Sequence, residues 1–224
     1  MSKGKLIVLE GIDGSGKSLQ YKLLAGKLNA AGKGFHKIVF PRYSNESSAL
    51  IRTYLSGGFG SNPEDVNAYA ASSFFAVDRF ASYKEDWGKL YESGGLIISD
   101  RYTTSNAVHQ GSKLPEDELY DYFRWLSDFE YVKMGIPEPD LVLYLEVDLE
   151  TSIKRMRKRE AEHATKADIH ELDEDYLAKC LITAEKAADF YSWKRIPFVT
   201  DGMERDAEEK SAEIFKLICS FLGD

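Results

Sequence analysis

The residue types with the most chemistry in them stand together near the start of the chain, at Gly11-Ile12-Asp13-Gly14-Ser15-Gly16-Lys17-Ser18. The string fits G-x-x-x-x-G-K-[ST], and it lies between the apolar run Leu6-Ile7-Val8-Leu9 and a helix-like stretch. Glycines let a backbone curl until its N–H groups converge on a phosphate, and the positive end of the following helix adds to the attraction. Lys17 then reaches the β- and γ-phosphates and the Ser18 hydroxyl holds Mg²⁺, with Leu19 closing the first turn. A glycine-rich turn with an accidental lysine is the bland alternative, and the order strand, loop, helix speaks against it. Residues 11–19 are therefore expected to bind a nucleoside triphosphate.

A second anchor follows the run Leu96-Ile97-Ile98, at Ser99-Asp100-Arg101-Tyr102. A carboxylate ending a strand beside the first one suits a metal-bound water, which makes Asp100 and Ser18 the candidate metal residues. Hydrolytic motors place a second acid next to that carboxylate to activate water. Here the neighbour is Arg101, whose planar fork suits a second phosphate instead. No N-K-x-D guanine motif occurs. Leu55-Ser56-Gly57-Gly58-Phe59 imitates the signature of transporter ATPases, but it precedes the Asp100 strand and reads as a loop between helices. A small phosphotransferase whose acceptor already carries a phosphate remains.

The elements that must position these groups alternate in the manner of a parallel sheet wrapped by helices. Strands are expected at Lys5–Leu9, His36–Phe40, Leu96–Ser99, Leu141–Glu146 and Phe198–Thr200. Helices fill the gaps, among them one over Pro63–Tyr91 capped by Asn62 and one over Pro115–Lys133. The fold class is α/β, a P-loop NTPase fold with a five-stranded parallel sheet in one domain over 1–224. A basic run that gives way to an acidic stretch marks a mobile lid at about 154–172. The chain has 224 residues, enough for one sizeable core, and 43% are hydrophobic. Its 29 Lys and Arg against 37 Asp and Glu argue against non-specific binding to nucleic acid or an anionic membrane. The two isolated cysteines, Cys180 and Cys219, fit reduced thiols, and no apolar run is long enough for a signal peptide or membrane span. A soluble cytoplasmic protein is expected.

Five separated segments give the chain a resemblance to the thymidylate kinase family. They are Leu9 to Ser18, Phe40-Pro41-Arg42-Tyr43, Phe75-Ala76-Val77-Asp78-Arg79, Ser99 to Asn106, and Pro137-Glu138-Pro139-Asp140-Leu141. The resemblance implies transfer of the γ-phosphate of ATP to dTMP, with Mg²⁺, by a homodimer; Tyr69–Tyr83 and Tyr120–Phe129 are apolar enough to form its interface. It also implies roles. Phe75 stacks on thymine, Arg79 donates to its O4, and Asn106 bonds its N3 edge with Ser105 beside it. The alternative is that Phe74 and Phe75 are both core residues, and it is the motif rather than periodicity that picks Phe75 for the base. Arg101 and Arg42 are candidates for the acceptor phosphate, Arg42 having surface acids as its alternative. Tyr43 and Asp100 approach that phosphate and the metal, while Asp13 helps place the sugar. His109 stands where the family puts a Tyr or Phe against the deoxyribose, a departure that leaves sugar selectivity open.

The basic run Lys154-Arg155-Met156-Arg157-Lys158-Arg159 is either a solvated helix face or the source of transition-state charge. Some members of the family carry an arginine at the position of Gly14 and others supply it from the lid. With glycine here, the resemblance assigns the task to Arg155 and Arg159, ahead of Arg157. The lid lacks the further arginine common before its acid, at Ile169-His170-Glu171, and Lys166 is the substitute at hand. The adenine is expected between the lid arginines and Asp201-Gly202-Met203-Glu204-Arg205. Catalytic candidates are thus Lys17, Asp13, Arg101, Arg155 and Arg159. Rival readings are a kinase for another nucleoside monophosphate or an unphosphorylated deoxynucleoside, and a P-loop ATPase that is not a kinase.

Overall fold

Leu6, Ile7, Val8 and Leu9 all have no solvent exposure, which a strand achieves only when both its faces are covered. In the computed structural model, which describes residues 3–163, 174–200 and 203–223, they belong to β1 (Lys5–Glu10). This strand is central in a parallel sheet ordered β2 (His36–Val39), β3 (Leu96–Asp100), β1, β4 (Leu141–Glu146) and β5 (Lys194–Pro197). Leu6 and Val8 enter one apolar cluster, while Ile7 and Leu9 enter a second on the opposite face. Helices α1 (Lys17–Ala30) and α9 (Ala207–Leu222) cover the second cluster. The first is covered by α5 (Thr103–His109), α6 (Leu119–Ser127) and α8 (Glu174–Phe190). The remaining helices are α2 (Ala49–Leu55), α3 (Ala68–Ser82), α4 (Gly88–Glu92) and α7 (Leu149–His163).

Register decides where the site lies. Leu9 pairs with Asp100 and Glu10 with Tyr144, so the loop after β1 and the loop after β3 leave the sheet at one edge. That carboxyl edge is where open α/β sheets receive their ligands.

Three sequence expectations are corrected. The fifth parallel strand is Lys194–Pro197 rather than Phe198–Thr200. Charge hid it: Arg195 is taken up by Glu146, Glu185 and Asp189, as an edge strand permits. Val199–Thr200 (β6) instead pairs antiparallel with Met203–Glu204 (β7). The helix expected over Pro63–Tyr91 starts twice. Asn62 closes a capping box on a single 3₁₀ turn at Pro63–Asp65, Val66 is extended, and Asn67 caps α3 by accepting from Ala70 N at 2.9 Å. The Pro115–Lys133 helix likewise resolves into a 3₁₀ turn, α6 and a π-helical turn at Asp128–Lys133. Residues 164–173, which take in the second part of the expected lid, lie outside the described residues. No described helix is long and apolar enough to cross a membrane.

Candidate active site

The glycines of the first loop are required by geometry. Gly14 and Gly16 have φ of 76° and 86°, and a Cβ on Gly14 would lie 2.4 Å from the carbonyl oxygen of Ser152 on α7. The loop and α7 are therefore in backbone contact, reinforced by the Ser152 hydroxyl donating to Asp13 O at 2.6 Å. Lys17 is buried and donates from Nζ to Gly11 O (2.6 Å) and Ile12 O (3.0 Å). Burial, and after it the nearby Arg101 cation, lowers its pKa to about 8. Gly11, Ile12 and Ser15 shape the loop from behind, whereas Asp13, Gly14, Gly16, Lys17, Ser18 and Leu19 face a cavity of about 450 Å³, within the usual range for a small-molecule site.

Arg101 opens on the same cavity from the end of β3. Its backbone has φ of 65°, a left-handed conformation that only surrounding bonds hold in a non-glycine residue. Those bonds are Arg101 N to Leu9 O at 3.2 Å and the Ser99 hydroxyl to Arg101 O at 2.5 Å. The guanidinium donates to Asp13 Oδ1 (2.6 Å) and to His109 Nε2 (3.0 Å). Burial alone would lower its pKa, but the carboxylates of Asp13, Glu10 and Asp100 raise it. Since arginine only donates, His109 Nε2 accepts and Nδ1 carries the proton, toward Cys180 Sγ at 3.6 Å. Glu10, which had no role assigned from the sequence, is fully buried. It accepts from the hydroxyls of Thr104 (2.5 Å) and Ser105 (2.7 Å) and thereby ties β1 to α5. An acid closing an otherwise apolar buried strand was the signal for it.

The helix face expected to read a base also reaches the cavity. Phe75, Arg79 and Asn106 all line it, whereas Phe74 is not part of the lining and packs with Tyr54 and Phe59. Arg79 is held by the buried carboxylate of Glu130, from Nε at 2.6 Å and from Nη2 at 2.5 Å. Burial opposes its charge and Glu130 more than offsets that, so its pKa is raised. Tyr43, Asp100, Ser105 and His109 belong to the lining. So does Gln110, which the sequence analysis passed over; it is buried and its Oε1 has no partner among the described residues. Arg42 does not line the cavity. Asp78 takes its backbone N–H (2.8 Å) and Nε (3.1 Å), with Glu85 and the Ser47 hydroxyl on its other nitrogens.

On the far side of the loop, Arg155 of α7 lines the cavity, donating to Gly14 O at 2.9 Å and to Glu204 of β7. Arg159 lies one turn further along α7, and its side chain, like Lys166, His170, Asp201 and Gly202, is outside the described residues. Ser18 and Asp100 offer hard oxygen ligands at two edges of the cavity, the donor set Mg²⁺ takes alongside phosphate oxygens. Among the described residues no group of three or more His, Cys, Asp or Glu side chains could hold a metal ion.

A sequence model of the thymidylate kinase family matches residues 9–198. The chain is 34% identical over 155 residues to thymidylate kinase of Mycobacterium tuberculosis, covering 69% of this chain and 71% of that protein. It is 33% identical over 153 residues to the human thymidylate kinase, covering 68% and 66%. A probable thymidylate kinase of Methanococcus maripaludis is 32% identical over 222 residues, 98% of both chains. The structure of thymidylate kinase from Candida albicans superposes with a TM-score of 0.72 at 23% identity, over 98% of this chain and 93% of that one, and so shares the fold. A phosphate loop and a helix face suited to a base thus open on one cavity, within a match that spans both, and the chain belongs to the thymidylate kinase family.

Proposed function

We propose that this chain transfers the γ-phosphate of ATP to dTMP, releasing ADP and dTDP, with the residues above in the following roles. One observation carries the reading: Arg101 and Asp13 are bonded at 2.6 Å across the gap between the two loops, so a phosphate held by Arg101 lies against the loop that holds the triphosphate. Phosphoryl transfer needs positioning and charge neutralisation more than a strong base. Lys17 neutralises the β/γ end of ATP and Arg101 the acceptor phosphate, while Asp13 keeps the fork of Arg101 oriented. Phe75 offers its ring to thymine, Arg79 and Asn106 meet its O4/N3 edge, Ser105 sits beside them, and His109 presents a neutral imidazole toward the sugar. Mg²⁺, held by Ser18 and Asp100, supplies further charge neutralisation when bound. Arg42 acts one step back, by fixing Asp78 and the chain leading to Tyr43.

The chain works as one P-loop domain on small-molecule substrates, without nucleic acid or membrane. The surface favours a homodimer, since Tyr69 and Val77 of α3 and Tyr120 of α6 are exposed. Both cysteines are free, as suits a cytoplasmic enzyme. A coupled ADP-release assay across an acceptor panel tests the activity. Turnover should depend on an acceptor, with dTMP the best of them; ADP release indifferent to dTMP would refute the reading.

Two outcomes follow for the triphosphate side. Arg155→Ala should lower kcat about 100-fold with KM for ATP changed less than about threefold, because a charge aimed at the transferring group acts in the transition state. Equal changes in kcat and KM would make it a ground-state anchor. The free protein loses the Lys17 proton above about pH 8, whereas a bound triphosphate favours the protonated form. Affinity for ATP should therefore fall above pH 8, by up to about tenfold per pH unit, with proton uptake on binding. Calorimetry at several pH values, in buffers of different ionisation enthalpy, reads both; flat affinity from pH 7 to 9.5 contradicts it.

A further inference from the structure

Glu130 has no solvent exposure and sits on the π-helical turn after α6, behind the base pocket rather than in it. Its carboxylate accepts from Arg79 Nε and Nη2, from Thr103 Oγ1 at 2.9 Å and from Asn106 Nδ2 at 3.2 Å. One buried acid thus holds both residues assigned to the edge of the base. The second hydrogen of the Asn106 amide reaches Ser72 O at 3.2 Å. Carboxylates and carbonyls only accept, so the amide cannot be turned over in this setting. Both its hydrogens are committed, and Asn106 has only Oδ1, an acceptor, to offer the cavity. Arg79 has only donors to offer, the remaining N–H groups of a fork whose inner side Glu130 occupies.

We propose that Glu130 is a positioning residue that sets the hydrogen-bond polarity of the base pocket as one donor and one acceptor, and so selects a keto pyrimidine over an amino pyrimidine. Thymine presents an acceptor at O4 and a donor at N3–H, the complement of Arg79 and Asn106. Cytosine presents a donor at N4 and an acceptor at N3, and both contacts then face a group of like kind. A site whose buried polar groups would be left unpaired by the wrong ligand rejects it far more strongly than a shape mismatch does. The inference rests on the proposed reaction and concerns a group that touches no substrate.

The decisive readout is the ratio of kcat/KM for dTMP to that for 5-methyl-dCMP, two acceptors that differ only at the edge in question. In the unaltered protein the ratio should exceed about 10³-fold, and 5-methyl-dCMP should compete poorly for the dTMP site. In Glu130→Gln the neutral side chain can donate to Asn106 and let its amide turn. The ratio should then fall at least tenfold, mostly through KM for dTMP, with KM for ATP within about twofold. A merely structural ion pair would weaken both acceptors alike and leave the ratio in place, which overturns the assignment. Should Glu130→Gln fail to fold, Glu130→Asp keeps the charge but loses the two-point grip on Arg79, and the ratio must again fall, by at least threefold. Equal competition by the two acceptors in the unaltered protein also overturns the proposal, with no variant needed. If that protein does not phosphorylate dTMP at all, the proposed reaction fails and this inference with it; a normal dTMP rate with an unmoved ratio removes Glu130 alone.

Discussion

Replacing Arg101 with alanine is expected to lower kcat/KM for dTMP by about three orders of magnitude while the protein stays folded. A positioned arginine on a transferring phosphoryl system contributes on the order of 10³–10⁵ in rate, and here the same fork also holds the site together. Its loss takes the guanidinium away from the fully buried Glu10 and the partly buried Asp13, which then have less positive charge around them. They then face an incoming dianion, so binding of dTMP suffers along with the chemical step. Arg101→Lys should recover only a small part, because a point charge cannot meet Asp13 and His109 at once in the plane that the guanidinium uses. Affinity for ATP, read by calorimetry, should change less than about threefold. A loss in kcat/KM below tenfold would remove Arg101 from the centre of the reaction. The backbone makes a separate prediction. At φ of 65° an L-residue carries about 1–2 kcal/mol of local strain, so Arg101→Gly should unfold at higher denaturant than Arg101→Ala although both are equally inactive.

The parts of this site that could be read in the sequence are those in which chemistry and spacing coincide in one short string. The loop at Gly11–Ser18 is continuous in sequence and in space, and β1 before it is apolar at Leu6 to Leu9 because both its faces are covered. Asp100 and Arg101 were legible for the same reason, as a charged pair ending an apolar strand. The choice of Phe75 over Phe74 came from family resemblance, since both are half-buried on one helix and periodicity does not separate them. What stayed hidden was the layer behind the contacts. Glu130 is 51 residues from Arg79 and lies on a π turn, where the helical period shifts and an acid reads as one more charge on an amphipathic segment. Arg42 shows the converse. Its segment was recognised, but whether it pointed at a ligand or at Asp78 depended on how the segment after β2 meets α3, which no local pattern encodes. The fifth strand was missed by a few residues because Arg195 pairs its charge with three acids at a sheet edge. Charge partners far away in sequence are what turn a polar string into a strand.

Lys17→Ala should separate catalysis from stability more sharply than any other change. Without nucleotide the ammonium of Lys17 closes on Gly11 O and Ile12 O, at a place where burial has already lowered its pKa to about 8. Holding a cation there costs free energy, because its water is gone and Arg101 repels it; the two carbonyl bonds and the carboxylates of Asp13, Asp100 and Glu10 offset that cost. Alanine removes the penalty and the bonds together. Ile12 O keeps the N–H of Ser15 at 3.2 Å as a donor, so only Gly11 O loses its partner among the described residues. The net change in unfolding free energy should stay within about 1 kcal/mol of zero. Turnover should not be spared. The lysine is the group that leaves the carbonyls for the β/γ-phosphates, and losing a preorganised charge at the transferring group is worth about 10³-fold in kcat. Lys17→Arg should do no better, since a longer planar head does not fit the space between two backbone carbonyls 3 Å or less from Nζ. Chemical denaturation and steady-state kinetics on the same preparation decide the matter. A variant that loses several kcal/mol of stability in step with its activity would mean that Lys17 props up the loop, and that the phosphates are neutralised by something else.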